Sequence, residues 1–444
     1  MLKNQKWINY AEDFHIEYLQ ALDEGKDVKE YEELCDAVTR ISISKEANLI
    51  AEEVAKILNN APVTANYQYC EPSDLLEIKQ SRPKKKHRSI NKVNRENLFD
   101  KISGAWAGRI AGCLLGMPVE GYKRERLQHL LEATSNNPMS RYIMKKEFSE
   151  NLIETLNIDP NNRWADNIGS SSPTDDDTDY TVMSLRILES YGRDFSPDNV
   201  MEAWLSYLPI ISCCTAERVA YKNAAQGILP PVTAVYNNPF REWIGAQIRI
   251  DFYGYINPGE PEKAAEMAWR DASISHIKNG IYGAMFIAAM IACAFIHNDI
   301  KDIIETALQE IPEKCRLREK VIDVLGWYKD GMSDQEVIDQ IHSMYDEYNG
   351  HHWCHAISNT VVVVAALLYG KGDFTKSICL AVQAAFDTDC NGATVGSIIG
   401  AMLGMSNIPA YWYETYNLAM RSNVLGYSHI TVDELANKTL KYIE

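Results

Sequence analysis

Residues 172–181 read Ser-Pro-Thr-Asp-Asp-Asp-Thr-Asp-Tyr-Thr and crowd Asp175, Asp176, Asp177 and Asp179 just ahead of an amphipathic run at 182–188. Carboxylates packed this closely repel one another, and without a counter-charge their pKa values rise. A helix N-terminus offsets part of that repulsion through its free N–H groups and its dipole. Divalent cations offset the rest, because Mg²⁺, Mn²⁺ and Ca²⁺ prefer oxygen ligands. The plain alternative is an over-capped helix start facing water, a common arrangement. A second stretch shifts the balance: Asp387, Thr388, Asp389, Cys390, Asn391 and Gly392 lie between two apolar helical patterns. Two acidic helix junctions of this kind are able to close around one dinuclear metal site.

The elements that must position these carboxylates are helical. Gly104, Gly108, Gly112 and Gly116 recur every four residues, and so do Gly392, Gly396, Gly400 and Gly404. Glycines at that spacing share one helix face and let another backbone approach, although each costs about 1 kcal/mol against alanine within a helix. The first stripe is no phosphate loop, since it lacks the Gly-Lys-Ser/Thr ending. The run Met117-Pro118-Val119-Glu120-Gly121 breaks that helix and leaves Glu120 on its exit turn. Apolar periodicity predicts further helices at 199–208, 261–272, 280–296, 299–309, 315–328, 334–346, 358–369 and 374–386. Clear period-two strands are absent. The expected fold class is all-α: a compact multi-helix bundle in which two glycine-striped helices pack closely.

Three regions are expected. Residues 1–65 form a helical N-terminal extension of two or three helices, 66–97 a polar and basic connector, and 98–444 the main domain. The cluster Arg82-Pro83-Lys84-Lys85-Lys86-His87-Arg88 reads as a solvated linker within an acidic chain. Residues 209–260, rich in Pro, Gly and aromatics, read as binding loops. His351, His352, Cys354 and His355 suggest zinc, but no second Cys/His cluster completes a tetrahedral set.

The 444 residues suffice for a sizeable core, and 46% hydrophobic with 24% charged residues is ordinary for a globular protein. A net charge of −17 argues against a nucleic-acid partner. The longest apolar run, 281–296, is too short for a membrane span. Ten scattered cysteines without a Cys-x-x-Cys pair read as reduced thiols, and the expected location is cytoplasmic.

Taken together, three motifs resemble those of the ADP-ribosylglycohydrolase family. They are residues 104–121 ending in Glu120-Gly121, then Asp175-Asp176-Asp177-Thr178, then Asp387-Thr388-Asp389-Cys390-Asn391-Gly392-Ala393. The resemblance covers roughly residues 98–420 and implies an all-α fold holding two Mg²⁺ ions, sometimes Mn²⁺. It also implies hydrolysis of the bond between ADP-ribose and a protein side chain, arginine being favoured. Asp176, Asp177 and Thr178 would then be metal ligands with Asp387 and Asp389, while Asp175 and Asp179 remain further candidates. In a second register, residues 178–181 occupy the first motif, with Tyr180 where an aspartate is expected. Glu120 would act in catalysis beside Asp387. Residues 244–249, with Gly245, Gln247 and Arg249, resemble a loop contacting phosphate and ribose, and His276 resembles a substrate-side histidine, a structural histidine being the alternative. Cys390 stands where the family usually has threonine, and a thiol is a poor Mg²⁺ ligand. Alternatives are a catalytically inactive relative serving as a binding protein, and a hydrolase of free ADP-ribosyl or nucleoside compounds. A third role is immunity, the extension binding an ADP-ribosyltransferase toxin.

Overall fold

The computed structural model describes residues 5–84 and 95–444. Among them, twenty-two α-helices accompany a single two-stranded hairpin, so the fold is all-α. The eight helices predicted between 199 and 386 are present, with ends shifted by at most three residues. The hairpin pairs Ala419–Arg421 with His429–Thr431, antiparallel, in the register Met420 to Ile430. Three residues per strand are too few to show a period of two.

The core is organised by one seam. Helix Leu98–Gly116 runs antiparallel to helix Thr388–Leu403, with Gly108 facing Gly396 and Gly112 facing Gly392. A methyl group built on Gly108 would lie 2.1 Å from the Gly396 carbonyl oxygen. Only glycine permits this backbone-to-backbone contact. The seam ends where Gly116 meets the peptide of Thr388 and Asp389, and the Thr388 hydroxyl donates to the Gly116 carbonyl at 3.0 Å. The exit turn carrying Glu120 is thereby delivered to the second acidic motif. Around the seam lie Lys278–Ala294 and Ala356–Gly370, apolar on nearly every face and buried along almost their whole lengths.

The first acidic motif is held from two sides. Ser172 exchanges backbone hydrogen bonds with Ala419 and Arg421, both 2.9 Å, which fixes the approach to helix Asp176–Tyr191. Asp175 caps that helix by accepting from the Asp177 N–H at 3.1 Å.

The extension forms three helices, Phe14–Asp23, Glu32–Thr39 and Lys45–Asn60, around a small apolar core of its own that includes Phe14, Val38 and Leu58. Its first helix docks through buried charge: Arg241 pairs with Glu17 and Glu24, both at 2.8 Å, and Gln20 donates to Glu242 at 2.7 Å. The connector is not a loose linker. It contains helix Leu75–Ser81, and Glu71 pairs with Arg316 at 2.9 Å. Arg82, expected to be solvated, is buried beside Glu310 at 2.8 Å because that acid needs a partner in the interior. Lys85, Lys86, His87 and Arg88 lie outside the described residues.

Candidate active site

The seam sets the two acidic helix starts side by side, and five carboxylates meet there in three groups that share corners. Glu120, Asp387 and Asp389 each place a ligand atom within 4.8 Å of the others, as do Asp177, Asp389 and Cys390, and again Cys113, Asp175 and Asp177. Asp176 adjoins them and is half-buried. Arg109, wholly buried on the seam helix, donates to the Asp177 carbonyl at 2.9 and 2.6 Å and pairs with Asp251 at 2.7 Å. Arg163 pairs with Asp175 at 2.8 Å. Asn359 accepts from the Asp387 N–H at 3.2 Å and from Asn391 at 2.8 Å, which fixes the second motif from behind.

The cluster is short of positive charge. Burial first, and then neighbouring carboxylates (Asp175 for Asp176, Glu120 for Asp389), push Asp176 and Asp389 well above the usual carboxylate range. Asp177 is raised by burial even though Arg109 opposes it. Glu120 lies at the rim, exposed, yet loss of water in the recess followed by Asp387 and Asp175 pushes it up to about 7, against Arg163 and Lys6. Asp177 Oδ2 and Asp389 Oδ1 are buried without a hydrogen-bond partner. Oxygen donors crowded, orphaned and over-protonated in this way fit divalent cations. Thr178 turns its hydroxyl to the Asp175 carbonyl at 3.2 Å. Asp179 points elsewhere, accepting from Asn423 at 3.0 and 2.8 Å, and Tyr180 stacks on Trp204. The register that brings carboxylates together is the one with Asp176 and Asp177.

The remaining expected residues form a separate buried layer. A methyl on Gly245 would strike the Glu217 carboxylate at 2.1 Å. Gln247 accepts from the Thr360 hydroxyl at 2.7 Å. Arg249 donates to Glu217 at 2.6 Å, to the Ser275 hydroxyl at 2.9 Å and to Asp271, and is sealed from solvent. His276 is buried with Nδ1 2.8 Å from Ser275, and burial and then Arg249 hold it well below its ordinary pKa. Arg249 and His276 therefore face interior partners in this structure. The Cys354 thiol links the layers: it lies 3.8 Å from Asp387, and the charge of Glu217 also reaches it.

His351 and His355 do gather a fourth group, apart from the acidic cluster, though with Asp23 of the extension rather than with a cysteine. Trp243 Nε1–H donates to His351 Nδ1 at 3.0 Å and the Ile357 N–H donates to His355 Nδ1 at 3.1 Å. With Nδ1 accepting, each neutral ring carries its proton on Nε2, where a metal would need a lone pair. Arg316, 3.6 Å from Asp23, adds positive charge. Asp23 lies 3.0 Å from His351 Nε2 and 3.5 Å from His355 Nε2, so the group ties the extension to the main domain.

A family model described as ADP-ribosylglycohydrolase matches residues 94–442, most of the chain. The chain belongs to that family. A solved structure described as an ADP-ribosylglycohydrolase-related protein complex is similar at 17% identity over 78% of this chain and 98% of its own, with a TM-score of 0.46. No curated protein matches. Membership makes this a chain of a hydrolase family, and its three motifs meet at the acidic cluster. Among the described residues, no helix is long and apolar enough to cross a membrane. In this ADP-ribosylglycohydrolase-family chain, sequence reasoning missed Arg109, Cys113, Asn359 and Asp23 as neighbours of functional groups. Arg109 alone left a signal, a lone charge within a run of Gly and Ala.

Proposed function

We propose that the protein hydrolyses the glycosidic bond between ADP-ribose and a modified side chain, arginine by preference, with two Mg²⁺ ions (or Mn²⁺) at the acidic cluster. The observation that supports this reading is the junction of Glu120 with Asp175, Asp176, Asp177, Asp387 and Asp389, whose orphaned buried oxygens call for cations. Bound cations would supply charge neutralisation and a water of lowered pKa. The chain's own residues do the rest. Asp177 and Asp389, lying between the outer groups, would hold the ions; Arg109 and Arg163 fix Asp177 and Asp175 in place. Departure of the leaving group builds positive charge on the sugar, as in glycoside hydrolysis generally. Glu120, exposed at the rim and pushed up to about 7, is suited to accept a proton from the attacking water.

The test is release of free ADP-ribose from arginine-ADP-ribosylated protein, with Mg²⁺ and with EDTA. Release that requires Mg²⁺ is the expected result. Binding of Mg²⁺ without release from this or a serine-linked substrate would refute protein de-modification and leave a free ADP-ribosyl compound as the substrate. Neither binding nor release would leave an inactive relative.

A further inference from the structure

Sulfur reaches into the acidic cluster at two of its three groups. Cys390 sits within ligand spacing of Asp177 and Asp389, and Cys113 within ligand spacing of Asp175 and Asp177. Both thiols are buried and neither forms a disulfide. The oxygens left without a partner, Asp177 Oδ2 and Asp389 Oδ1, belong to the two aspartates that flank Cys390. The third group, Glu120 with Asp387 and Asp389, offers oxygen alone.

We infer that the centre is divided by ligand softness: Cys390, Asp177 and Asp389 form a position for a borderline divalent cation such as Zn²⁺ or Co²⁺, next to an all-oxygen position for Mg²⁺ or Mn²⁺. This rests on the cation reading of the cluster given above. Thiolate selects borderline and soft ions, whereas carboxylate and water suit hard ones. A threonine at residue 390 would give a neutral oxygen and keep both positions hard. The Cys390 thiol gives its proton to solvent as the metal–sulfur bond forms, so binding of an ion there releases protons. Arg109 holds Asp177 in place beside the sulfur, donating to its backbone carbonyl from the seam helix and to Oδ1 at 3.3 Å. Cys390 is equally fixed, one turn into a helix whose start is tied to Gly116 and Asn359.

The experiment is Co²⁺ titration of the chelator-stripped full chain, read by the near-ultraviolet sulfur-to-cobalt charge-transfer band, with stoichiometry from equilibrium dialysis. The wild type is expected to show the band, Cys113→Ala to keep it and Cys390→Thr to lose it while still binding Mg²⁺. The preference for Zn²⁺ over Mg²⁺ is expected to fall by about tenfold or more in Cys390→Thr. Bound Co²⁺ without the band in the wild type, or the band persisting in Cys390→Thr, overturns the inference and leaves the Mg²⁺ reading standing. No binding of Co²⁺, Zn²⁺ or Mg²⁺ overturns the cation reading itself. Should Cys390→Thr not fold, X-ray absorption of Zn²⁺-loaded Cys113→Ala decides: sulfur at about 2.3 Å supports the inference, and a shell of oxygen or nitrogen alone overturns it.

Discussion

Replacing Gly112 with alanine puts a methyl group 1.9 Å from the Gly392 carbonyl oxygen and 2.4 Å from its carbon. Ordinary contact begins at 3.4 Å, so the two helices must part by about 1.5 Å (3.4 minus 1.9). Nothing flexible lies in the way to absorb the strain, since the obstructing atoms are backbone. In an unobstructed helix the same change would stabilise by about 0.5–1 kcal/mol, because alanine has less freedom to lose. Overpacking costs about 1–3 kcal/mol where side chains can yield, and here they cannot. The expected net loss is about 2–3 kcal/mol, seen as a lower urea midpoint at unchanged slope. Gly326 in helix Arg316–Lys329 is the control, because a methyl there meets nothing, and Gly326→Ala should gain about 0.5–1 kcal/mol. Gly112→Ala should also weaken cation binding by about tenfold, since the seam positions Asp389. Adding Gly392→Ala should cost less than the two single losses combined, because the seam is already open. A Gly112→Ala midpoint equal to or above the wild type would refute the close-contact argument.

Asp387→Ala and Asp176→Ala are each expected to abolish metal-dependent ADP-ribose release while leaving the unfolding midpoint near the wild-type value; full activity in both contradicts the site. Glu120→Gln should slow single-turnover release by about 10²–10⁴-fold if it serves as the base, and a loss below tenfold would remove it from that role. Burial pushes Glu217 from 4.5 to about 6, so the folded state binds its proton more tightly than the unfolded chain. That contribution is therefore intact below about pH 4.5 and declines by about 2 kcal/mol as pH rises to 6. The decline should vanish in Glu217→Gln, and an unchanged slope of urea midpoint against pH would count against it. Arg241→Ala leaves Glu17 buried without its cation, while Glu24 keeps Lys278 at 2.6 Å, and should cost about 3–5 kcal/mol in chemical denaturation. A cost under 1 kcal/mol would mean that the extension is held by its apolar contacts instead.

The legible features were those written into local spacing. Carboxylates ahead of an apolar run signal a helix start, and glycines four apart signal a bare helix face; together they located the seam and the acidic cluster. What sequence could not supply was the partner across space. Asp23 looks like any helix-end acid, yet it closes on His351 and His355. Asn359 lies in an apolar helix without signal, yet it holds Asp387. Arg249 in a glycine-containing loop reads as a phosphate contact, whereas burial beside Glu217 and Asp271 directs its guanidinium inward. The connector's charges suggested solvent because composition does not reveal that Glu310 and Arg316 await Arg82 and Glu71.

The seam also decides how ions would come and go. In many small metalloproteins the ligands find one another only when the metal arrives, so chelation unfolds the chain. Here Gly108, Gly112 and Gly116 lock the two halves of the cage together by backbone contact, independent of any cation. Without a cation the seam would still hold the cage's shape, and burial with mutual repulsion would keep its carboxylates well above their ordinary range. Exchange of one ion for another would therefore run past the exposed Glu120 and require no refolding.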